Sequence, residues 1–592
     1  MEGRGKSEGY ALFGWPPDLG AGWSRCLAEP LETLAVWSLP DVLPALARVD
    51  QAAASGLWAA LLVAYEAAPA FDPALRAHAP RGFPLLWAGL YRSPASLPQS
   101  LPAGGYRAGT WEPGVTPGRH AQAVAAIREL IRQGETYQVN YTMPFACAFA
   151  GDDLAWFADL ARSQRAGYSA YLDLGRWAVL SLSPELFFSV HGRRIEARPM
   201  KGTAARGRHP AEDEARRAGL AASAKDRAEN VMIVDLVRND LGRVAEAGSV
   251  AAHDLYRVEP YPTVWQMTSG VSATLRPGKG LADVLAAVFP CGSVTGAPKV
   301  RTMEIIRDLE SGPRQAYCGA VGFVAPGGDC AFSVPIRTLF LDREAGRARF
   351  WVGGGVTHDS TPAGEYAECL DKMRFLAAPH PEFRLLETML LQRGRLPRQE
   401  GHLRRLAASA QYHGFAWDRA AAVRALEKAA AGNAAGCRRI RLLLARDGAL
   451  EVQVLDLAPR PRPLRVGLAK TRVDSRAAGL FHKTDQRERY DAALASRPDC
   501  DEVLLCNERG ELTEACTANL VLDRDGRLLT PALDCGLLPG ILRQGLLDRG
   551  VVAEARLLPE DLRRARRFWL VNALRGWQPA RLVLDKEQAG RL

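Results

Sequence analysis

Asp226 and Glu229 stand three residues apart in KDRAENVMIVDLVRNDLGRV (225–244). Glu365 and Glu368 repeat that spacing in GEYAECLDKMRF (364–375), one turn before Lys372. On a helix an i, i+3 pair shares one face. Two such pairs could hold a hard cation through oxygen ligands, and Mg²⁺ keeps waters and bridges to an anionic substrate. On spacing alone, two ordinary solvated helix faces explain these residues better. Lysine is the second signal. The chain has ten lysines against 66 arginines, yet Lys201 stands between Met200 and Gly202 in RPMKGT (198–203). An amine can lose its proton when buried or set beside a cation, whereas a guanidinium stays protonated. A second isolated lysine, Lys483, is the only one between 471 and 585.

The elements that must hold these residues can be read from periodicity. AQAVAAIRELIRQG (121–134) puts Val124, Ile127, Leu130 and Ile131 on one stripe and ends at a C-capping Gly134. YQVNYTMPFACAF (137–149) alternates as a half-buried strand does. The two acidic segments read as helices. Residues 1–115 are rich in Pro, Gly and Trp with short strand-like pieces, and AAPHPEF (377–383) reads as a linker. Strand and helix patterns resume after it. With 592 residues the chain is too long for one core. The organisation is therefore a first module (an N-terminal part over 1–115 and a catalytic region over 116–376), the linker, and a second module over 384–592.

Composition narrows the class. Hydrophobic content of 47% and charged content of 24% are those of an ordinary globular protein. The net charge of +10 is spread along the chain and suits small anionic substrates. Its densest cluster, Arg563, Arg564, Arg566 and Arg567, reads as a solvated surface helix, so no nucleic-acid partner is expected. Eleven cysteines without metal-like spacing fit reduced thiols in a cytoplasmic protein. The start has no apolar signal core, and GLWAALLVAYEAAPA (56–70) is too short to span a bilayer, so no membrane association is expected.

Eight segments occur in order: IRQGETYQVNYT, SPELFF, RPMKGT, the 225–244 helix, GSVTGAPKVRTMEII (292–306), YCGAVGF, IRTL and GGGVTHDSTPAGEYAECLDK. Together they resemble the chorismate-utilising enzymes, which include the anthranilate, aminodeoxychorismate, isochorismate and salicylate synthases. The resemblance implies an α/β sandwich. It implies Glu229 and Glu368 as direct Mg²⁺ ligands, with Asp226 and Glu365 as outer partners. Arg337 and Lys372 become clamps on chorismate carboxylates, and the loop bearing Thr295 and Gly296 offers donors to the same anion. Anthranilate synthases carry a small residue where this chain has Lys201, and the aminodeoxychorismate branch carries a lysine. In that branch the lysine is a nucleophile, with Glu185 as general acid for the departing C4 hydroxyl. Gln266 replaces a histidine of many relatives and cannot shuttle a proton near neutral pH. The short N-terminal part does not justify carrying over the tryptophan pocket of some relatives. No glutaminase elbow is present, so ammonia is expected free or from a separate glutamine amidotransferase subunit.

LETM, HLRRL, RIRLLL, FHKTDQRERY, NERGELTEACTANLVL, LLPGILR and FWLVNALRGW follow in order from 386 to 577. They resemble the fold-type IV pyridoxal phosphate enzymes, a group that includes 4-amino-4-deoxychorismate lyase and the branched-chain and D-amino acid aminotransferases. The fold class implied for the whole chain is thus α+β in two modules, a chorismate-enzyme sandwich followed by a fold-type IV module. The resemblance implies pyridoxal 5'-phosphate on Lys483, Glu514 at its pyridine nitrogen, and Arg405 with the Gly540–Ile541 turn at its phosphate. Leu542 replaces a threonine that relatives often place after that turn. Arg575, in VNALRGW, is the candidate for a substrate carboxylate. Fold-type IV enzymes are commonly dimers, which implies a homodimer through this module. The implied function is 4-aminobenzoate synthesis in two steps. The alternatives are an anthranilate-type synthase fused to an aminotransferase, and a non-catalytic scaffold for an amidotransferase.

Overall fold

A computed structural model describes residues 8–14, 22–98, 104–376, 383–433 and 436–584. Apart from Phe383, the expected linker 377–383 lies outside the described residues. The chain forms two compact units, Met1–Ala205 with Arg217–His380, and Arg206–Arg216 with Pro381–Leu592.

The first unit is built on two large sheets. One runs through Gly296–Ala297, Gln138–Gly151, Arg347–Val356, Thr338–Asp342, Trp177–Ser183, Tyr168–Leu174, Ala11–Phe13 and Arg25–Leu27. The other runs from Met200–Ala205 through Val264–Thr274, Arg194–Arg198, Leu186–His191, Cys330–Ser333, Ala320–Val324, Trp58–Val63 and Leu86–Tyr91 to Glu32–Val36. Their apolar faces share one core, with Leu172, Val179 and Phe340 from the first sheet and Leu61, Phe188 and Phe332 from the second. Strands Trp58–Val63, Leu86–Tyr91 and Trp177–Ser183 are buried along nearly their whole length, as strands covered on both faces are.

Three helices position the candidate residues. Helix Pro117–Arg132 starts four residues before the apolar stripe because Thr116 caps it and Pro117 fits its first turn. Its Val124 and Ile127 pack with Val139 and Tyr141 of the long strand. Helix Ala224–Gly242 is capped by Ser223, which accepts from the Asp226 amide, and buries Ile233, Val234, Val237 and Leu241. Helix Pro362–Met373 is capped by Thr361, which accepts from the Gly364 amide.

The second unit has a three-stranded sheet, Leu385–Gln392, Cys437–Leu444 and Leu450–Asp456, covered by helices Gln399–His413 and Arg419–Ala431. Its larger sheet has eight strands, and the pairing of Glu514 with Asn519 closes six of them into a ring. The segment Arg206–Arg216, expected in the catalytic region of the first module, belongs to this unit. Arg206 pairs with Asp213, lies 4.5 Å from the Tyr412 ring and donates to the Tyr412 carbonyl. The Tyr412 hydroxyl returns a bond to the Gly207 carbonyl at 2.8 Å.

The arginine cluster is not one helix. Arg563 and Arg564 end helix Pro559–Arg564, whereas Arg567 opens strand Arg567–Asn572. Ala565 leaves the helix at ψ 133°, which ends the run despite its uniform charge. All eleven cysteines are free. Among the described residues, no helix is long and apolar enough to cross a membrane.

Candidate functional sites

Lys201 lies in a bulge. Strand Met200–Ala205 pairs Met200 with Thr268 and Thr203 with Gln266, and the register shifts between those pairs. Gly202 takes φ +97°, where a Cβ would come within 3.1 Å of the Asp226 Cβ, so the bulge needs glycine. Asn230 donates to the Lys201 carbonyl at 3.1 Å and Gln266 donates to the Gly202 carbonyl at 2.9 Å. The Gln266 amide oxygen also accepts from Thr203 at 3.0 Å. Gln266 therefore holds Gly202 and Thr203, the residues that follow the lysine, a task that an amide performs without titrating.

The Lys201 ammonium sits over Gly355, where an added Cβ would lie 2.5 Å from its Nζ and 2.3 Å from the Gln138 Nε2. Burial is the largest influence on Lys201 and holds its pKa below the ordinary lysine value, while the charges of Glu229, Glu368 and Glu185 oppose that shift. Glu185 is buried and accepts from the Ser293 hydroxyl at 2.7 Å. Burial pushes its carboxyl up to about 7, against the Ser293 hydrogen bond and the Lys201 charge. A carboxyl raised to about 7 and a lysine held below its ordinary pKa thus act on one another electrostatically.

Arg337 is half-buried with φ +51°, and among the described residues no carboxylate pairs with it. Burial pulls its pKa down, Tyr261 opposes that shift, and its NH1 donates to the Gln164 amide oxygen at 3.5 Å; the Tyr261 hydroxyl donates to the carbonyl of Pro184 next to Glu185. A desolvated guanidinium without an acid is suited to receive an anionic ligand. Lys372 donates to the Gly353 carbonyl and pairs with Glu368, both at 2.6 Å. Thr295 is fully buried, and its hydroxyl donates to the Cys291 carbonyl at 3.1 Å. Gly296 pairs with Val139, and a Cβ there would meet the Gln138 carbonyl oxygen at 2.1 Å. Lys299 pairs with Asp240 at 2.8 Å and is structural.

The four expected metal ligands surround Lys201 as two pairs. Glu365 and Glu368 lie side by side over Gly354, where an added Cβ would sit 3.1 and 3.3 Å from their oxygens. Burial raises the pKa of Glu365, and Glu368 raises it further. Asp226 adjoins Gly202, and Glu229 acts electrostatically on Lys201. Among the described residues no three acids, histidines or cysteines converge closely enough to hold a metal by themselves. The donor set is all oxygen, which fits a hard dication that takes its remaining ligands from substrate and water.

Two contributors escaped the sequence reading. Ser293 gave no signal beyond its place in a glycine-rich loop. Gln138 is buried beside Lys201, and among the described residues neither atom of its amide has a hydrogen-bond partner. A lone glutamine in an alternating strand has nothing in sequence to distinguish it from its neighbours.

The second unit has a cavity of about 380 Å³ lined by Arg405, Lys483, Tyr490, Glu514, Gly540 and Arg575 among others. Burial lowers the Lys483 amine to about 8, with the Arg405 charge adding to the effect. Glu514 is buried, accepts from the Tyr490 hydroxyl at 2.9 Å, and is pushed up to about 7 by that burial. Arg405 grips Glu387 at 2.8 and 2.7 Å, and its NH1 donates to the Pro539 carbonyl at 3.1 Å. That contact ties it to the turn preceding helix Ile541–Asp548.

Gly540 caps this helix, and an added Cβ would overlap the Asn519 amide oxygen at 1.9 Å. The first-turn amides, starting at Ile541, provide a site for a dianionic phosphate. Leu542 points away from that site into an apolar cluster with Val521, Leu546, Val552 and Val571. The Arg575 backbone is anchored by the Asn572 side chain at 2.7 Å. The donor set, a proton-shedding lysine, a buried acid, an arginine and a helix N-terminus, fits pyridoxal phosphate.

Residues 24–378 match the model of the chorismate binding enzymes, and residues 384–583 match that of amino-transferase class IV. The chain is 43% identical over 263 residues to aminodeoxychorismate synthase component 1 of Escherichia coli, covering 44% of this chain and 58% of that one. It is 40% identical over 258 residues to anthranilate synthase component 1 of Methanothermobacter marburgensis, covering 44% of this chain and 56% of that one. The chain thus spans little more than half the length of these relatives. Anthranilate synthase component I from Streptococcus pneumoniae shares its fold at a TM-score of 0.53 and 22% identity, over 64% of this chain and 95% of that one.

Proposed function

The chain belongs to the chorismate-binding enzymes and carries an amino-transferase class IV module, and from that premise we propose that it makes 4-aminobenzoate from chorismate in two steps. The observation that carries this reading is Lys201, a half-buried lysine held below its ordinary pKa and within electrostatic reach of a carboxyl with a pKa of about 7.

In the first step the neutral Lys201 amine attacks C2 of chorismate. The ring double bonds shift, the C4–O bond breaks, and Glu185 protonates the departing hydroxyl, which leaves as water. Ammonia then attacks C4 and the bonds shift back. Lys201 leaves C2, giving 4-amino-4-deoxychorismate with its enolpyruvyl group intact. Arg337 and Lys372 hold the carboxylates and the Gln138 amide faces the reacting amine. Glu229 and Glu368 would ligate Mg²⁺, with Asp226 and Glu365 behind them, and the ion would neutralise the bound carboxylate. Ammonia comes from a separate glutamine amidotransferase subunit or from solution.

In the second step the new amine enters the cavity that holds Lys483, where pyridoxal phosphate, when bound, would supply an electron sink for C4. Lys483, with a pKa of about 8, takes the C4 proton. Glu514 would hold the pyridine nitrogen, and Arg405 with the Gly540–Ile541 turn would hold the phosphate. Loss of pyruvate from C3 makes the ring aromatic. The reading includes a cytoplasmic role as a source of the folate precursor.

Purified chain given chorismate, Mg²⁺ and ammonium should release 4-aminobenzoate only when pyridoxal phosphate is present. Release of anthranilate would overturn the reading.

Glu185 predicts a pH profile. As a general acid it must be protonated, so amination should decline as pH rises through about 7. Glu185→Gln should slow amination by about 10²–10⁴-fold and remove that decline, leaving the acid side of the profile set by Lys201. An alkaline decline that persists in Glu185→Gln would assign the acid role to another group.

A further inference from the structure

The cavity of the second unit holds more positive charge than a cofactor phosphate and one carboxylate require. Arg439 and Arg441 sit on alternate positions of strand Cys437–Leu444, and Leu386 and Thr388 alternate on its neighbour Leu385–Gln392. All four line the cavity. Arg441 pairs across the strands with Thr388, so the face the four share is fixed by register. The Arg439 Nε is buried with no hydrogen-bond partner among the described residues. Neither Arg439 nor Arg441 forms an ion pair among the described residues.

Four further arginines line the same cavity from other segments, Arg405 and Arg487 beside Lys483, and Arg460 and Arg575. Arg460 donates to Glu502 at 2.8 Å, and Glu502 also accepts from Thr517. Arg575 donates to the Ala458 carbonyl at 2.9 Å, two residues from Arg460. Burial lowers the pKa of Arg575, and the charges of Arg460 and Arg439 lower it further, so these guanidinium groups repel one another. The phosphate position lies elsewhere in the cavity, because Arg405 is tied to Pro539 at the helix turn.

We propose that Arg439, Arg460 and Arg575 form a clamp for a second substrate carboxylate, which makes the second module selective for dianionic amines over ordinary monocarboxylate amino acids. Each guanidinium presents a planar fork that matches a carboxylate. Like charges gathered around one space are relieved when an anion enters it. A substrate with one carboxylate relieves part of that repulsion; one with a carboxylate on the ring and another on an enol ether relieves more. The inference rests on the lyase reading, since 4-amino-4-deoxychorismate carries both groups.

The test uses the full chain loaded with pyridoxal phosphate. The probes are 3-(carboxymethoxy)benzoate, a dianion, and 3-methoxybenzoate, its monoanionic counterpart. Binding is read from the visible absorption of the bound cofactor, to which the first module is silent. The wild-type chain should bind the dianion at least about tenfold tighter, the scale of one charge-assisted hydrogen bond. Arg439→Gln and Arg575→Gln should each lose about tenfold for the dianion and less than about twofold for the monoanion. Arg460 is tied to buried Glu502, so Arg460→Gln is judged only alongside those two.

Equal losses for both probes, or an unchanged preference in both variants, would overturn the clamp. The lyase reading is tested separately by 4-aminobenzoate release. A wild-type chain that releases it while the variants keep the preference sinks the clamp alone. A chain that prefers the dianion but releases none sinks the reading and leaves the clamp.

Discussion

Lys201→Ala should abolish amination of chorismate, by at least about 10³-fold, while the second module still converts added 4-amino-4-deoxychorismate. The size follows from the role. A nucleophile that forms a covalent bond cannot be replaced by a binding contact, and water in the vacated space is a poor substitute. Lys201→Arg should be as inactive, because a guanidinium keeps its proton even where burial drives the lysine amine down. That comparison separates catalysis from charge. Were Lys201 only a counter-ion for Glu229 and Glu368, arginine would serve and most activity would survive. The measurement is initial 4-amino-4-deoxychorismate formation, with retained cofactor absorption as the check that the chain is folded. Full activity in Lys201→Ala would end the covalent mechanism.

The sequence was informative where chemistry depends on residue type at a fixed spacing. Lys201 between Met200 and Gly202, the i, i+3 acids and the isolated Lys483 could all be found without coordinates, because each is a rare type in a local pattern. The helices that carry the acids followed from periodicity, although helix Pro117–Arg132 begins earlier than its stripe because of its cap. What could not be read depends on long-range burial. The carboxyl of Glu185 rises to about 7 because strands far apart in sequence enclose it with Ser293, 108 residues away. Arg337 is notable for the acid it lacks, and the lack of a partner leaves no mark in sequence. The unpartnered amide of Gln138 is of the same kind.

Segment Arg206–Arg216 joins the second unit through Tyr412, a partner about 200 positions later that no local pattern names. Two substitutions against family habit also needed coordinates. Gln266 holds backbone groups where a titrating side chain had been one option. Leu542 is turned into an apolar cluster, so the missing hydroxyl is a packing choice. The Thr295 hydroxyl bonds within its own loop, since a fully buried donor must find a partner close by.

Lys483→Ala should leave the first step intact and stop the second, so that 4-amino-4-deoxychorismate accumulates and 4-aminobenzoate falls by at least about 10³-fold. The argument is one of proton inventory. Elimination of pyruvate requires a base at C4, and the base must be a group that can shed and take up a proton near neutral pH. Among the cavity's cations Lys483 alone meets that requirement, because burial and the Arg405 charge bring it to about 8. The arginines stay charged, and Glu514 is engaged by Tyr490 at 2.9 Å. Lys483→Arg should therefore fail as completely as Lys483→Ala. The lesions should also be separable in a mixture. Adding the Lys201→Ala chain, whose second module is intact, should consume the intermediate that the Lys483→Ala chain has released, and 4-aminobenzoate should appear. Wild-type release by Lys483→Ala alone would remove Lys483 from the chemistry. Accumulation that the mixture cannot relieve would mean that Lys201→Ala damages both modules, and the division of labour between the two lysines would be wrong.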